Sequence, residues 1–429
     1  MTTAYGQPPG PADGPGAGLP RLLPSRPENL GAHLGRLGPV PYYGTRGALI
    51  RPVEASGLTG RGGAAFPVHR KLAVVAGARG RKAVVANGAE SEPASRKDEF
   101  LLRTAPHLVL DGLQLAAEAV GASEACLYLH RGAGAGLQSA LAGRQARGLD
   151  RLPVTVTETP PRFLAGQESA AVNLIGGGPA LPTFTPPRVT ERGLHGWPTL
   201  VQNVETLAHL ALIARFGPGW FRAVGTAAEP GSMLTTLYPA GGGCRVTEAA
   251  IGTPLRALLG ADGAEAQAWL VGGYHGSWLP LPDSSGGTLD NASLRPRGAA
   301  VGAGVLAALP SRCCGLTEAA RVVSYLAAES AGQCGPCLNG LPRIAAALAE
   351  LAGPRPRRQT RADIERWSGL VARRGACSHP DGTVRFVRSA LAAFEPELAW
   401  HERGRCAAAS RRPFLPLPDD FPTHENDWI

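Results

Sequence analysis

The sequence predicts an α/β domain with a parallel sheet, then a small α+β unit, then a C-terminal helical bundle with a metal-cluster site. Three observations predict it. From about Pro39 to Phe216 short β-branched runs alternate with helical stretches, a pattern that yields a parallel sheet covered on both faces. Between about Ser232 and Leu289 two strand-like runs flank a glycine turn. Beyond Cys313 apolar residues recur at helical spacing around Cys334, Cys337 and Cys377.

The composition sets outer limits. A chain of 429 residues, 44% of them hydrophobic, is long enough for two or three packed domains. The formal charge of +9 favours acidic partners, nucleotides or an anionic protein surface. No Lys/Arg block alternates with aromatics, so a nucleic-acid partner is not expected. The N-terminus lacks the apolar core of a signal peptide and no apolar run reaches spanning length. The expected location is cytoplasmic or peripheral to a membrane complex, with no direct membrane span. Eight cysteines in a reducing compartment favour metal or cluster ligation over disulfides.

The elements follow in order. Residues 1–38 read as a disordered Pro/Gly-rich leader. The α/β domain is expected over 39–225. Lys82–Ala86 reads as a buried strand ending at Asn87-Gly88, Pro106–Val120 as a helix, and Ala125–Leu129 as a strand. Gly136–Arg147 reads as a second helix and Val154–Val156 as a third strand. Ligands on such sheets bind beyond the carboxyl ends of the strands, which marks Asn87 and its successors. In the α+β unit, 226–300, strands are expected at Met233–Tyr238 and Cys244–Glu248. There Thr253 is expected to cap a short helix with Pro254 at its first turn. In the bundle, 301–400, Thr317 is a plausible N-cap. Leu338, Leu341, Ile344, Ala345, Leu348 and Leu351 mark one apolar face. Further helices are expected near Ile364–Val371 and Thr383–Phe394. Residues 401–429 read as an extended tail.

Two segments carry chemistry. Gly57-Leu58-Thr59-Gly60-Arg61-Gly62-Gly63-Ala64-Ala65-Phe66-Pro67 can bring backbone N–H groups close to a phosphate, with Arg61 and Lys71 adding charge. It is not a Walker loop, because no Gly-Lys-Ser/Thr closes it. Asn87-Gly88-Ala89-Glu90-Ser91-Glu92-Pro93 concentrates polar groups after a buried strand. Separately, Glu329-Ser330-Ala331-Gly332-Gln333-Cys334-Gly335-Pro336-Cys337-Leu338-Asn339-Gly340 has the spacing of an iron–sulfur cradle with Ala331 in place of one cysteine. Cys377 follows about forty residues on.

Together these segments resemble the flavin subunit of complex I NADH dehydrogenase and its diaphorase relatives. The pattern G-L-R-G-R-G-G-A-G-F-P matches residues 57–67, and N-A-D-E-S-E-P matches 87–93. Gly193–Thr199 matches G-L-x-G-x-P-T, Gln202–Thr206 matches N-N-V-E-T, and Glu329–Gly340 matches E-S-C-G-x-C-x-P-C-x-x-G. The resemblance covers roughly residues 45 to 400. It implies an FMN-binding domain, a ubiquitin-like (β-grasp) insert and an iron–sulfur-binding bundle. It places Gly60, Arg61, Gly62, Gly63, Lys71, Asn87, Glu90, Gly166, Glu168 and Asn203 around FMN. Phe66, Glu92 and Arg188 fall on the NAD(P)H side, and Cys334, Cys337 and Cys377 are metal ligands. The implied function is an FMN-dependent NAD(P)H dehydrogenase-type electron-transfer subunit that feeds a 4Fe-4S cluster or a protein acceptor. The implied partners are ferredoxin-like or membrane-bound redox subunits. The alternative is a flavin and iron–sulfur relay or docking module that no longer uses NADH.

The departures from the family pattern lie along that electron path. Ala89 replaces an aspartate. Phe163-Leu164-Ala165-Gly166-Gln167-Glu168-Ser169 stands for Y-I-C-G-E-E-T, Thr185-Pro186-Pro187-Arg188 for K-P-P-F, and Val74 for an aromatic. Loss of aromatic faces and acidic groups suggests a donor other than ordinary NADH, either NADPH with Arg188 near its extra phosphate or a protein carrier. The fourth cluster ligand is open between Cys313 or Cys314, His379, Asp381 and a non-protein ligand. A zinc site of Cys334, Cys337, Cys377 and His379 and no metal at all are the other readings.

Overall fold

Four short strands build the first sheet: β1 (Ala83–Asn87), β2 (Glu124–His130), β3 (Val154–Thr159) and β4 (Thr199–Asn203). All pairs are parallel, in the order β3-β2-β1-β4. The computed structural model describes residues 18–260, 265–281, 286–406, 408, 410, 412–419 and 425–428. Residues 83–86 and 125–129 are buried, as expected for strands covered on both faces. The helix Pro106–Val120 packs on the helix Val204–Arg222 so closely that a Cβ on Gly112 would lie 2.0 Å from the Leu207 carbonyl oxygen. Only glycine permits that approach. Strand order reverses at β1, with β2 on one side and β4 on the other. Such a reversal marks the carboxyl ends of β1 and β4 as the ligand-binding edge of the sheet, where Asn87 pairs in register with Asn203.

The expected leader is corrected from residue 18 onward; residues 1–17 lie outside the described residues. Leu22 is buried, and Leu30–Leu37 is a helix capped by Asn29. That helix docks through a buried ion cluster. Asp111 receives His33 Nε2 at 2.8 Å and Arg144 Nη1 at 2.8 Å, and also contacts Arg215. Burial works against ionisation, yet His33, Arg215 and Arg144 hold the Asp111 carboxyl down to about 2.

The second sheet has five strands: β5 (Ser232–Tyr238), β6 (Arg245–Ala250), β7 (Ala266–Val271), β8 (Ser277–Pro280) and β9 (Val305–Pro310). Their order is β6-β5-β9-β7-β8, with β5–β9 parallel and the other pairs antiparallel. The β5–β6 hairpin stands where the sequence placed it. Thr253 does not cap the following helix: its hydroxyl donates to the Ala250 carbonyl at 2.7 Å, and the helix runs Leu255–Leu259 after Pro254.

Among the described residues five α-helices follow: Gly315–Ala328, Leu341–Ala352, Thr360–Val371, His379–Ala393 and Glu395–Glu402. The first starts two residues before Thr317, so that residue is not the cap. Cys314 is, its Sγ accepting the Thr317 N–H at 3.4 Å. The tail packs back on this helix, where Glu318 accepts the N–H groups of Phe414 and Leu415 at 3.1 and 3.2 Å. Among the described residues no helix is long and apolar enough to cross a membrane.

Candidate functional site

The glycine loop is closed by its own backbone. Gly60 N–H donates to the Phe66 carbonyl at 2.9 Å, and Thr59 bridges Pro67. Arg61 N–H donates to Thr206 Oγ1 at 2.9 Å. That contact ties the loop to the first turn of the helix Val204–Arg222, whose cap is Asn203. A Cβ on Gly62 would stand 3.4 Å from the Asn203 Cβ, and Gly63 has φ +106°. Ala65 is held in the left-handed region at φ 49°, at a cost of about 1 kcal/mol. Strain of this kind persists where surrounding structure over-determines a loop.

The polar groups at the strand ends divide into two sets. Some shape the edge itself. Asn87 Nδ2 donates to the Gly166 carbonyl at 2.8 Å, and Asn203 Nδ2 to Asp98 Oδ2 at 2.7 Å. Lys97 lies between Asp98 and Glu205 at 2.7 and 2.9 Å. Burial disfavours its charge, but those carboxylates raise its pKa. Glu90 faces the start of the helix Lys97–Thr104, accepting the N–H groups of Asp98 and Glu99 at 3.1 and 3.0 Å. Other groups remain available to a ligand. Lys71 reaches the end of β4, donating to the Val201 carbonyl at 2.7 Å and contacting Glu168. Arg61 Nε and Nη2 and Gln202 Nε2 are buried donors without a protein acceptor. Such orphans are costly unless an acceptor arrives. A phosphate-bearing flavin brings acceptors, so the donor set fits FMN.

The expected donor side is open. Phe66 is 49% exposed and Arg188 is exposed. Glu92 instead faces the five-stranded unit, accepting Tyr274 N–H at 2.7 Å and Ala94 N–H at 3.3 Å. Burial pushes its carboxyl up to about 7. Sequence reasoning missed Phe184, which is 66% exposed one residue before Thr185. An aromatic adjacent to the altered K-P-P-F segment was the available signal.

Cys334 and Cys337 meet in the bundle, with Cys377 near them. Cys334 and Cys337 Sγ stand 3.5 Å apart across the π-helical turn Pro336–Gly340. Burial, with Cys334 and Cys377 nearby, pushes the Cys337 thiol up to about 11. Backbone N–H groups of Ala376, Gln333 and His379 lie near Cys334, Cys337 and Cys377 respectively and favour their thiolates. N–H donors on sulfur are the surroundings an anionic cluster needs, so these three positions fit one. Of the residues weighed as the fourth ligand, Cys313, Cys314 and His379 are corrected, while Asp381 stays near the Cys377 thiol. Cys313 and Cys314 precede the helix Gly315–Ala328 while Cys334 follows it, a separation of about 20 Å at 1.5 Å per residue. His379 is engaged on both ring nitrogens, by His275 at 3.0 Å and by the Leu326 carbonyl at 2.7 Å; this removes it from the zinc reading as well. Asp381 accepts Arg373 N–H at 2.6 Å.

One turn joins the two regions. In Phe163–Gly166 the last carbonyl receives Asn87, and the next side chain, Gln167, lies near the Cys377 sulfur, where it favours the thiolate against burial. Phe163 N–H donates to Glu329 at 2.9 Å, and its ring packs edge-on to His275 with centroids 4.7 Å apart.

A family model described as the Nuo51 FMN-binding domain matches residues 53–212. One described as the NADH-ubiquinone oxidoreductase-F iron-sulfur binding region matches residues 317–401. The NADH-quinone oxidoreductase F-subunit 2 of Rhizobium meliloti (strain 1021) is 28% identical over 379 residues, 83% of this chain and 90% of that protein. The NADH-quinone oxidoreductase F-subunit of Mycobacterium tuberculosis (strain ATCC 25618 / H37Rv) is 30% identical over 389 residues, 83% and 85% of the two chains. The crystal structure of NAD+-reducing [NiFe]-hydrogenase in the H2-reduced state superposes with a TM-score of 0.77 at 26% identity. The match covers 89% of this chain and 67% of that one.

Proposed function

The chain belongs to the family of NADH-quinone oxidoreductase F-subunits, and we propose that it serves as an NADH-oxidising electron-transfer subunit in which the glycine loop and the ends of β1 and β4 hold FMN and Cys334, Cys337 and Cys377 hold a 4Fe-4S cluster. When bound, FMN supplies two-electron acceptance with one-electron release, and the cluster supplies single-electron carriage. The chain's own residues bind and orient. Glycine N–H groups with Arg61 and Lys71 take the phosphate. Asn87 fixes the Gly166 carbonyl, and Glu168 positions Lys71. Phe66, Phe184 and Arg188 line the open side and offer aromatic faces and charge to a dinucleotide. The domain plan follows with one boundary moved: FMN binding over 39–225, a ubiquitin-like β-grasp insert from 226 that runs past 300 to include β9 (Val305–Pro310), and the cluster-bearing bundle from there to 400. Its partners are other redox subunits, of ferredoxin-like or membrane-bound kind.

The carrying observation is the Phe163–Gly166 turn, because its last carbonyl accepts Asn87 at the end of β1 while its first N–H donates to Glu329 at the head of the cysteine segment. Anaerobic titration of FMN- and iron-loaded protein with NADH, followed by flavin absorbance and EPR, tests the reading. Bleaching of the flavin with appearance of a reduced-iron signal is expected. A flavin that stays oxidised under excess NADH would return the chain to the relay alternative.

A further inference from the structure

A second thiol site lies at the opposite end of the helix Gly315–Ala328 from Cys334. Cys314 caps that helix, and His401 sits on the helix Glu395–Glu402 with Nε2 at 3.5 Å from the Cys314 sulfur. Gly404, at φ +71°, reverses the chain after this helix. Its N–H reaches the His401 carbonyl at 2.8 Å, and Arg405 N–H reaches the Trp400 carbonyl at 2.9 Å. This is a Schellman end, and it returns Cys406 toward His401. One ligand atom from each of Cys314, His401 and Cys406 lies within 4.8 Å of the others. Glu397 Oε2 stands 3.3 Å from the Cys314 sulfur, and its Oε1 accepts Gly315 N–H at 3.1 Å.

We propose that Cys314, His401 and Cys406 bind a zinc ion, with Glu397 on the fourth side, at a structural site separate from the iron–sulfur cluster.

The geometry suits zinc. Bond lengths of about 2.3 Å to sulfur and about 2.0 Å to nitrogen set a tetrahedral S···N edge of about 3.5 Å, the observed Cys314–His401 separation. His401 Nδ1 faces the Gly353 carbonyl at 3.3 Å. That bond assigns the proton to Nδ1 and leaves the Nε2 lone pair toward the sulfurs, as in histidines that ligate metals. Two thiolates with an imidazole select zinc over calcium or magnesium. The ion joins the root of the tail to the helix along which the tail runs. Ser410 N–H donates to the Arg312 carbonyl at 2.9 Å, and Phe414 and Leu415 reach Glu318.

The test measures zinc, iron and flavin together on the full chain carrying its cofactors, for the parent, Cys406→Ser and His401→Gln. Cys406 is exposed, so its replacement leaves the core intact. The expected result is one tightly held zinc in the parent and retention against a chelator weakened at least about tenfold in both variants, with iron and flavin unchanged. Three results would overturn the proposal: a parent that holds no zinc after exposure to it; zinc lost on Cys334→Ser but kept in Cys406→Ser; or a Cys314–Cys406 disulfide found by non-reducing peptide mapping of the parent.

Discussion

At the junction of the flavin-binding domain with the five-stranded unit, Glu92 is a partly buried carboxyl whose main contacts are two backbone N–H groups. Burial raises its folded pKa to about 7, above the unfolded value of about 4.3. The folded chain therefore binds the proton more tightly. That stabilisation is complete below about pH 4 and is lost as the pH rises through about 7. The substitution Glu92→Gln keeps an oxygen acceptor and removes the titration. The fall in melting temperature between pH 5 and pH 8 should shrink in the variant; an unchanged fall would mean that Glu92 does not titrate there. The acidic motif was legible in the sequence, but its direction was not. Glu92 faces the second sheet because Gly273 approaches so closely that a Cβ there would stand 2.5 Å from Glu92 Oε2.

The Phe163–Gly166 turn works as a single element. Its end is threaded past the acidic segment: a Cβ on Gly166 would meet Ser91 Oγ at 2.5 Å and the Ala89 carbonyl oxygen at 3.2 Å. Gly166→Ala should destabilise the protein by about 1–3 kcal/mol through overpacking and lower FMN occupancy of the purified protein. A variant with parental flavin content and melting temperature would show the turn to be more compliant than its packing indicates. This element has no readable periodicity in the sequence, so only its likeness to a family motif marked it. The helix Pro106–Val120, by contrast, was legible to the residue, because proline opens it and Gly121, in the left-handed region, closes it. The start of the helix Gly315–Ala328 was misread because a threonine is a common cap and a cysteine is not.

Across the whole molecule, the proposed flavin cradle and the thiol trio sit on different units, linked by the Phe163–Gly166 turn among other contacts. Separability follows. Cys377→Ser should lose iron while keeping FMN and its bleaching by NADH, since serine retains a small polar group for Gln167. Joint loss of flavin and iron would show that the two units do not stand independently. The five-stranded unit was half legible. The β5–β6 hairpin shows β-branched runs around a glycine turn. Strand β9, Val305–Pro310, is rich in alanine and leucine, residues that carry no strand preference of their own, and the register with β5 and β7 makes it a strand.

The sequence by itself determined the class of this protein, through glycines, asparagines and cysteines whose local spacing is the chemistry: a loop that can approach a phosphate, polar groups at a strand end and thiols on a tight turn. Only the tertiary structure decided which groups meet. It turned Glu90 toward a helix start and Glu92 toward the second sheet, occupied both nitrogens of His379, and brought Cys314 beside His401 and Cys406. The reason is physical. Motif spacing fixes contacts over a few residues, whereas a ligand set drawn from positions 314, 401 and 406 exists only after helices distant in sequence have packed.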